Sequence, residues 1–104
     1  MKAKLYKSEN GTKYLKFQPK GGLFCSIPVI TSGSRDKHNA WTWNGSLEKP
    51  TVRPSVKITN PVDGVVEHYW LNDGIAKMLS DCTNGLANQE VKLMDVKDIE
   101  VLNN

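Results

Sequence analysis

Apolar and polar residues alternate most cleanly between Thr51 and Thr59. Val52, Pro54, Val56 and Ile58 fall on one parity, and Thr51, Arg53, Ser55, Lys57 and Thr59 on the other. Successive side chains of an extended chain point to opposite faces, so this pattern predicts a half-buried strand. Tyr14-Leu15-Lys16-Phe17 repeats it in brief. Asn10-Gly11 just before is a favoured hairpin pair, because both residues tolerate positive φ. Leu23 to Ile30 is almost wholly apolar, as a buried strand requires, and Pro28 within it removes a ladder donor, which predicts an edge or a bulge. Thr31 to Asn39 is polar around Ser32-Gly33-Ser34 and reads as a surface loop.

Beyond the turn at Asn60–Gly64, Val65 to Leu71 is rich in β-branched and aromatic residues and predicts another strand. Asn72-Asp73-Gly74 folds it back into Ile75–Leu79. Asp81 to Gln89 breaks the pattern and has room for one helical turn, while Val91–Met94 and Ile99–Leu102 read as closing strands. No helical period is sustained for more than about 12 residues. The expectation is an all-β or β-dominated fold. It is a compact small barrel or sandwich of short antiparallel strands with at most one short helical turn.

The length, 104 residues, predicts a single small β domain over 1–104, since halves of it would be too small to bury a core. No apolar run approaches the roughly 18–20 residues that cross a bilayer, so no membrane role is expected. The lysine-bearing start lacks an apolar stretch behind it, which predicts a cytoplasmic protein rather than an exported one. Cys25 and Cys82 are too few for a disulfide framework and read as small buried hydrophobes.

The net charge of +3 comes largely from Lys2, Lys4, Lys7, Lys13, Lys16 and Lys20. These fit either a phosphate-facing stripe or a solvated strand face that discourages edge pairing. With Arg35 and Arg53 as the only arginines, nucleic acid is the weaker partner.

Cys25, His38, His68 and Cys82 exhaust the soft metal donors, and no pair has chelating spacing, so neither a metal nor any other cofactor is expected. A thiol mechanism pairing Cys82 with His68 has no local signature around it. Ser55, His68 and Asp81 form a nominal Ser-His-Asp set, but such residues occur by chance in any chain of this size and spacing alone does not support it. The most distinctive residues are Trp41 and Trp43, which share one face of an extended segment. With Tyr69 or Trp70 they make a stacking or contact surface, to which Lys49, Arg53 and His68 add charge. The alternative is that both indoles fill the core.

Trp41-Thr42-Trp43-Asn44-Gly45-Ser46-Leu47-Glu48-Lys49-Pro50-Thr51-Val52-Arg53-Pro54-Ser55 resembles a motif of small bacteriophage and prophage proteins. Its later parts correspond to His68, Asp73-Gly74-Ile75, Asp81-Cys82, Leu86-Ala87, Gln89, Val91 and Leu93. The chain departs from it at Cys25, where relatives carry a Cys-x-x-Cys-like cluster, at Glu67 and Asn84, where they carry Cys and His, and at Asn88, where they carry Gly. The function expected is a non-enzymatic binding or interaction module, which the resemblance implies is a phage accessory protein, acting on a host protein or a small polar ligand. The alternatives are a structural virion component contacting other virion proteins, and a metal- or thiol-dependent enzyme.

Overall fold

The computed structural model describes residues 1–30 and 40–102; the expected loop at 31–39, with His38, lies outside the described residues. Among the described residues nine strands and one helix follow in order: β1 Lys4–Lys7, β2 Lys13–Phe17, β3 Cys25–Ile30, β4 Trp41–Trp43, β5 Val52–Arg53, β6 Val56–Thr59, β7 Val66–Asn72, β8 Ile75–Met78, β9 Glu90–Lys92 and α1 Val96–Leu102. β1 to β5 form a five-stranded sheet in sequence order, and β6 to β9 a four-stranded one. All pairings are antiparallel except β3 with β4. The β-dominated expectation holds, as two packed sheets rather than a closed barrel.

The period-2 patterns decide what lies between the sheets. Leu15 and Phe17 of β2, Cys25, Ile27 and Val29 of β3, and Val52 of β5 meet Val56, Tyr69, Leu71, Ala76 and Met78 from the second sheet, all buried. Phe17 and Tyr69 touch edge to face, ring centroids 6.5 Å apart, so the two layers share one core. Just past β2 and β9 the chain joins the layers through an isolated Pro19–Leu93 bridge, with Lys20 N–H donating to Lys92 O and Met94 N–H to Gln18 O.

The segment read as one strand from Thr51 to Thr59 is two. Val52–Arg53 ends the first sheet, the Arg53–Pro54 peptide is cis, and Val56–Thr59 opens the second. Val52 and Val56 are buried and Ile58 half-buried, while Arg53 and Lys57 are exposed as the parity requires; Pro54 is exposed, against it. Pro28 sits inside the sheet order, opposite Tyr14, but pairing of β3 with β4 begins only at Val29. At Pro28 the strand is therefore locally an edge, where a missing N–H costs nothing.

Asp73 and Gly74, at φ 50 and 76, make the tight turn between β7 and β8. Ile99–Leu102, read as a strand, belongs instead to α1. Asp95 caps this helix: its Oδ1 accepts from Lys97 N–H and its carbonyl from Asp98 and Ile99 N–H. Asp81–Gln89 contains no helical turn. Among the described residues no helix is long and apolar enough to cross a membrane.

Candidate active site

β7 carries two programmes on alternate residues. Glu67, Tyr69 and Leu71 face the core, and Val66, His68 and Trp70 face outward. Antiparallel pairing sets Lys57 of β6 opposite His68. Ser55, one residue before β6, lies on the same outward parity as Lys57, on the diagonal that neighbouring strands bring within side-chain reach. Its Oγ is 3.0 Å from His68 Nε2.

On the other side of the ring, His68 Nδ1 is 3.1 Å and 3.0 Å from Asp81 Oδ1 and Oδ2. An ionised carboxylate can only accept, so Nδ1 carries the proton and, in the neutral ring, Nε2 is left as an acceptor facing the Ser55 hydroxyl. The His68 hydrogen bond holds the Asp81 carboxyl below its ordinary range, with a smaller contribution from Lys57, whose Nζ is 3.8 Å from Oδ2.

The turn bearing Asp81 is fastened to β7 by its backbone. Leu79 N–H and the Cys82 thiol donate to His68 O at 2.8 Å and 3.1 Å, and His68 N–H donates to Cys82 Sγ at 3.2 Å. Thr83 N–H donates to Val66 O, and Val66 N–H to Thr83 Oγ1. Ser55 is fixed from the first sheet: the Trp41 indole N–H donates to Ser55 O at 3.2 Å.

Arg53 bridges the sheets where the chain passes between them. Its guanidinium donates to Val52 O, Leu71 O and Asn72 Oδ1 and lies 5.4 Å from the Trp70 ring centre. β6 pairs with β7 no further than Val56 opposite Tyr69, so the guanidinium satisfies the Leu71 carbonyl that a longer β6 would have reached.

Beneath His68 lies a buried polar cluster. Glu67 has no exposed surface; its carboxylate accepts from Leu23 N–H at 2.9 Å and from Asn84 Nδ2 at 2.9 Å. Desolvation raises its pKa above the usual carboxyl value. Burial pushes the neighbouring Cys25 thiol up to about 12 and the Tyr69 hydroxyl well above its usual value. Among the described residues the Tyr69 hydroxyl has no nitrogen or oxygen as a hydrogen-bond partner.

Of the residues chosen from sequence as a binding surface, His68 alone joins the three-residue constellation. Tyr69 is fully buried and cannot meet a partner, which corrects its place in an aromatic platform. Trp41 and Trp43 are half-buried, pack against the core, and commit their N–H groups to Ser55 O and Ser46 O. Lys49 is exposed in a turn that Asn44 closes by accepting from Ser46 and Thr51 N–H. Both cysteines are free, and Cys82 faces the His68 backbone rather than its ring. Among the described residues no group of three or more His, Cys, Asp or Glu could hold a metal ion.

A nucleophile hydrogen-bonded to a base, itself oriented by a carboxylate, is the arrangement of serine hydrolases. The model of one protein family, BubE, the serine protease of a bacterial ubiquitination-like system, matches residues 3–79. The chain belongs to the BubE family. Neither a curated protein nor a solved structure matches it. Ser55 and His68 lie within the matched span and Asp81 two residues past its end. Family membership overturns the reading of a non-enzymatic phage binding module or virion component. A BubE protein is placed with a bacterial ubiquitination-like system and a protease activity.

Proposed function

We propose that this BubE chain is a serine peptidase that cleaves a peptide bond in a protein component of a bacterial ubiquitination-like system. The observation that carries the reading is the continuous relay from Ser55 Oγ to His68 Nε2, 3.0 Å, and from His68 Nδ1 to Asp81 Oδ2, 3.0 Å.

As Ser55 Oγ attacks the scissile carbonyl carbon, its proton passes to His68 Nε2. Asp81 keeps the ring in the tautomer with Nδ1 protonated and stabilises the imidazolium that forms. His68 Nε2–H then protonates the leaving amine, and the peptide C–N bond breaks to leave an ester on Ser55. Water, deprotonated by the same Nε2, hydrolyses that ester and returns the proton to Ser55. The half-exposed Asp81 is screened by solvent, so its contribution is orientation more than charge. The remaining donors, Trp41 N–H on Ser55 O and the backbone bonds around Cys82, hold the two ends of the relay still.

The test is covalent. An alkyl fluorophosphonate should add once to the native protein at Ser55, read by intact mass and peptide mapping, and should not add to Ser55→Ala. A native protein left unmodified, or an adduct that persists in Ser55→Ala, would overturn the proposal.

A further inference from the structure

The edge of the second sheet begins at the nucleophile. β6 follows Ser55 directly and has β7 as its only strand neighbour among the described residues. Which backbone groups point to the open side follows from the hydrogen-bond alternation of antiparallel strands. Asn60 N–H donates to Val65 O, so the pair at 60 and 65 is hydrogen-bonded across the hairpin. By alternation the pairs Ile58–Glu67 and Val56–Tyr69 are too. The other face of β7 agrees: Val66 O and His68 O are taken by Thr83 and Leu79 N–H, leaving Glu67 and Tyr69 to serve β6. The N–H and C=O of Lys57 and Thr59 therefore turn away from β7, and both residues are exposed.

We infer that this open edge is the substrate-binding site, and that it takes an extended polypeptide as an added strand along β6. The inference rests on the peptidase reading and specifies how the substrate is held. An added strand lies about 4.8 Å from β6 and rises about 3.3 Å per residue. Backbone bonds to Lys57 and Thr59 then fix its register over one dipeptide step, and the next step along the edge brings a carbonyl to Ser55. Recognition through main-chain groups needs no side-chain pocket, so the occupant is defined by its extended, unpaired backbone. A folded sheet or helix in the substrate is excluded, and an exposed tail or linker is accepted.

Two reagents separate this inference from the peptidase reading. One is the alkyl fluorophosphonate; the other is a degenerate mixture of tetrapeptidyl phosphonates with the same warhead. The quantity read is the ratio of their Ser55 labelling rates within one protein. The expected ratio is tenfold or more in the native protein and in Lys57→Ala and Thr59→Ala, which keep the backbone N–H. It should fall towards one in Lys57→Pro and Thr59→Pro, which lose an N–H that β7 does not use.

Where a proline variant does not fold, hydrogen exchange decides. Lys57 and Thr59 amides should be slowed in the peptidyl adduct of the native protein and unchanged in the alkyl adduct. A native ratio near one, a ratio unaffected by proline, or unslowed amides would overturn the β6 site and leave the peptidase standing. If neither reagent modifies native Ser55, the peptidase reading falls and the site with it.

Discussion

The indole N–H of Trp41 and the carbonyl oxygen of Ser55, 3.2 Å apart, tie β4 of the first sheet to the segment that enters β6, 14 residues on. This bond and the Arg53 guanidinium both help to hold the crossing between sheets where Ser55 sits. Trp41→Phe keeps most of the ring's packing and deletes the donor. It should cost about 1 kcal/mol of stability, and kcat should fall with KM nearly unchanged because the nucleophile is less well placed. Denaturant unfolding beside steady-state kinetics checks both; an unchanged kcat would show that Ser55 needs no anchor from the first sheet.

Asp81→Asn should leave the urea midpoint nearly unchanged, since the side chain is half exposed. Its effect on kcat should reach the order of 10⁴-fold, because an amide can present its N–H to Nδ1 and favour the wrong tautomer. Fluorophosphonate labelling rates report the same loss without a protein substrate. Because the carboxyl is held below 3.8, protonation of Asp81 should not shape the rate profile at neutral pH.

Glu67→Gln tests the buried cluster through pH. The folded-state pKa of Glu67 is raised above 4.5, so between these values the folded protein holds more protons than the unfolded chain. Stability therefore falls as pH rises through that window, and below it the penalty is absent. The side-chain amide oxygen of the Glu67→Gln variant can accept from both Leu23 N–H and Asn84 Nδ2, so the variant should fold and lose that slope. Urea midpoints at about pH 4 and about pH 7.5, compared with the native protein, measure it. Parallel profiles would show that Glu67 stays charged on folding at no cost.

Gly74→Val should destabilise by more than about 1 kcal/mol. The turn needs φ 76 there, and a Cβ would lie 3.4 Å from Glu48 O and Lys49 Cα. Thermal melts decide it.

Cys25 should resist iodoacetamide at about pH 8 in the folded protein and react once it is unfolded. Its thiol is buried and pushed up to about 12. Fast alkylation of the native protein at Cys25 would contradict that placement.

Local chemistry was legible wherever one residue's conformation decides the structure. Asp73-Gly74 announced its turn, and Val52, Val56, Arg53 and Lys57 announced their faces. Hidden from sequence was the break at Pro54–Ser55, because alternation reads the same whether a strand stays in one sheet or passes to another. α1 was missed although its cap was present: Asp95 precedes Val96 and Ile99, whose spacing of three suits one helix face.

The Ser-His-Asp set could be named from sequence but not supported, for a different reason. Ser55, His68 and Asp81 are spaced 13 residues apart, a separation with no local meaning. Only the β6–β7 register and the backbone clasp at Cys82 give it one. Of Trp41 and Trp43, the loudest residues in the chain, Trp41 fastens Ser55 from the first sheet and Trp43 commits its N–H to Ser46 O.

β7 also separates two environments. Positions 67, 69 and 71 face the interior, and positions 66, 68 and 70 the outer surface, where His68 meets Ser55 and Asp81. Insertion or loss of one residue within the strand would send His68 into the oily interior and Glu67 into water in a single step, abolishing chemistry and fold together.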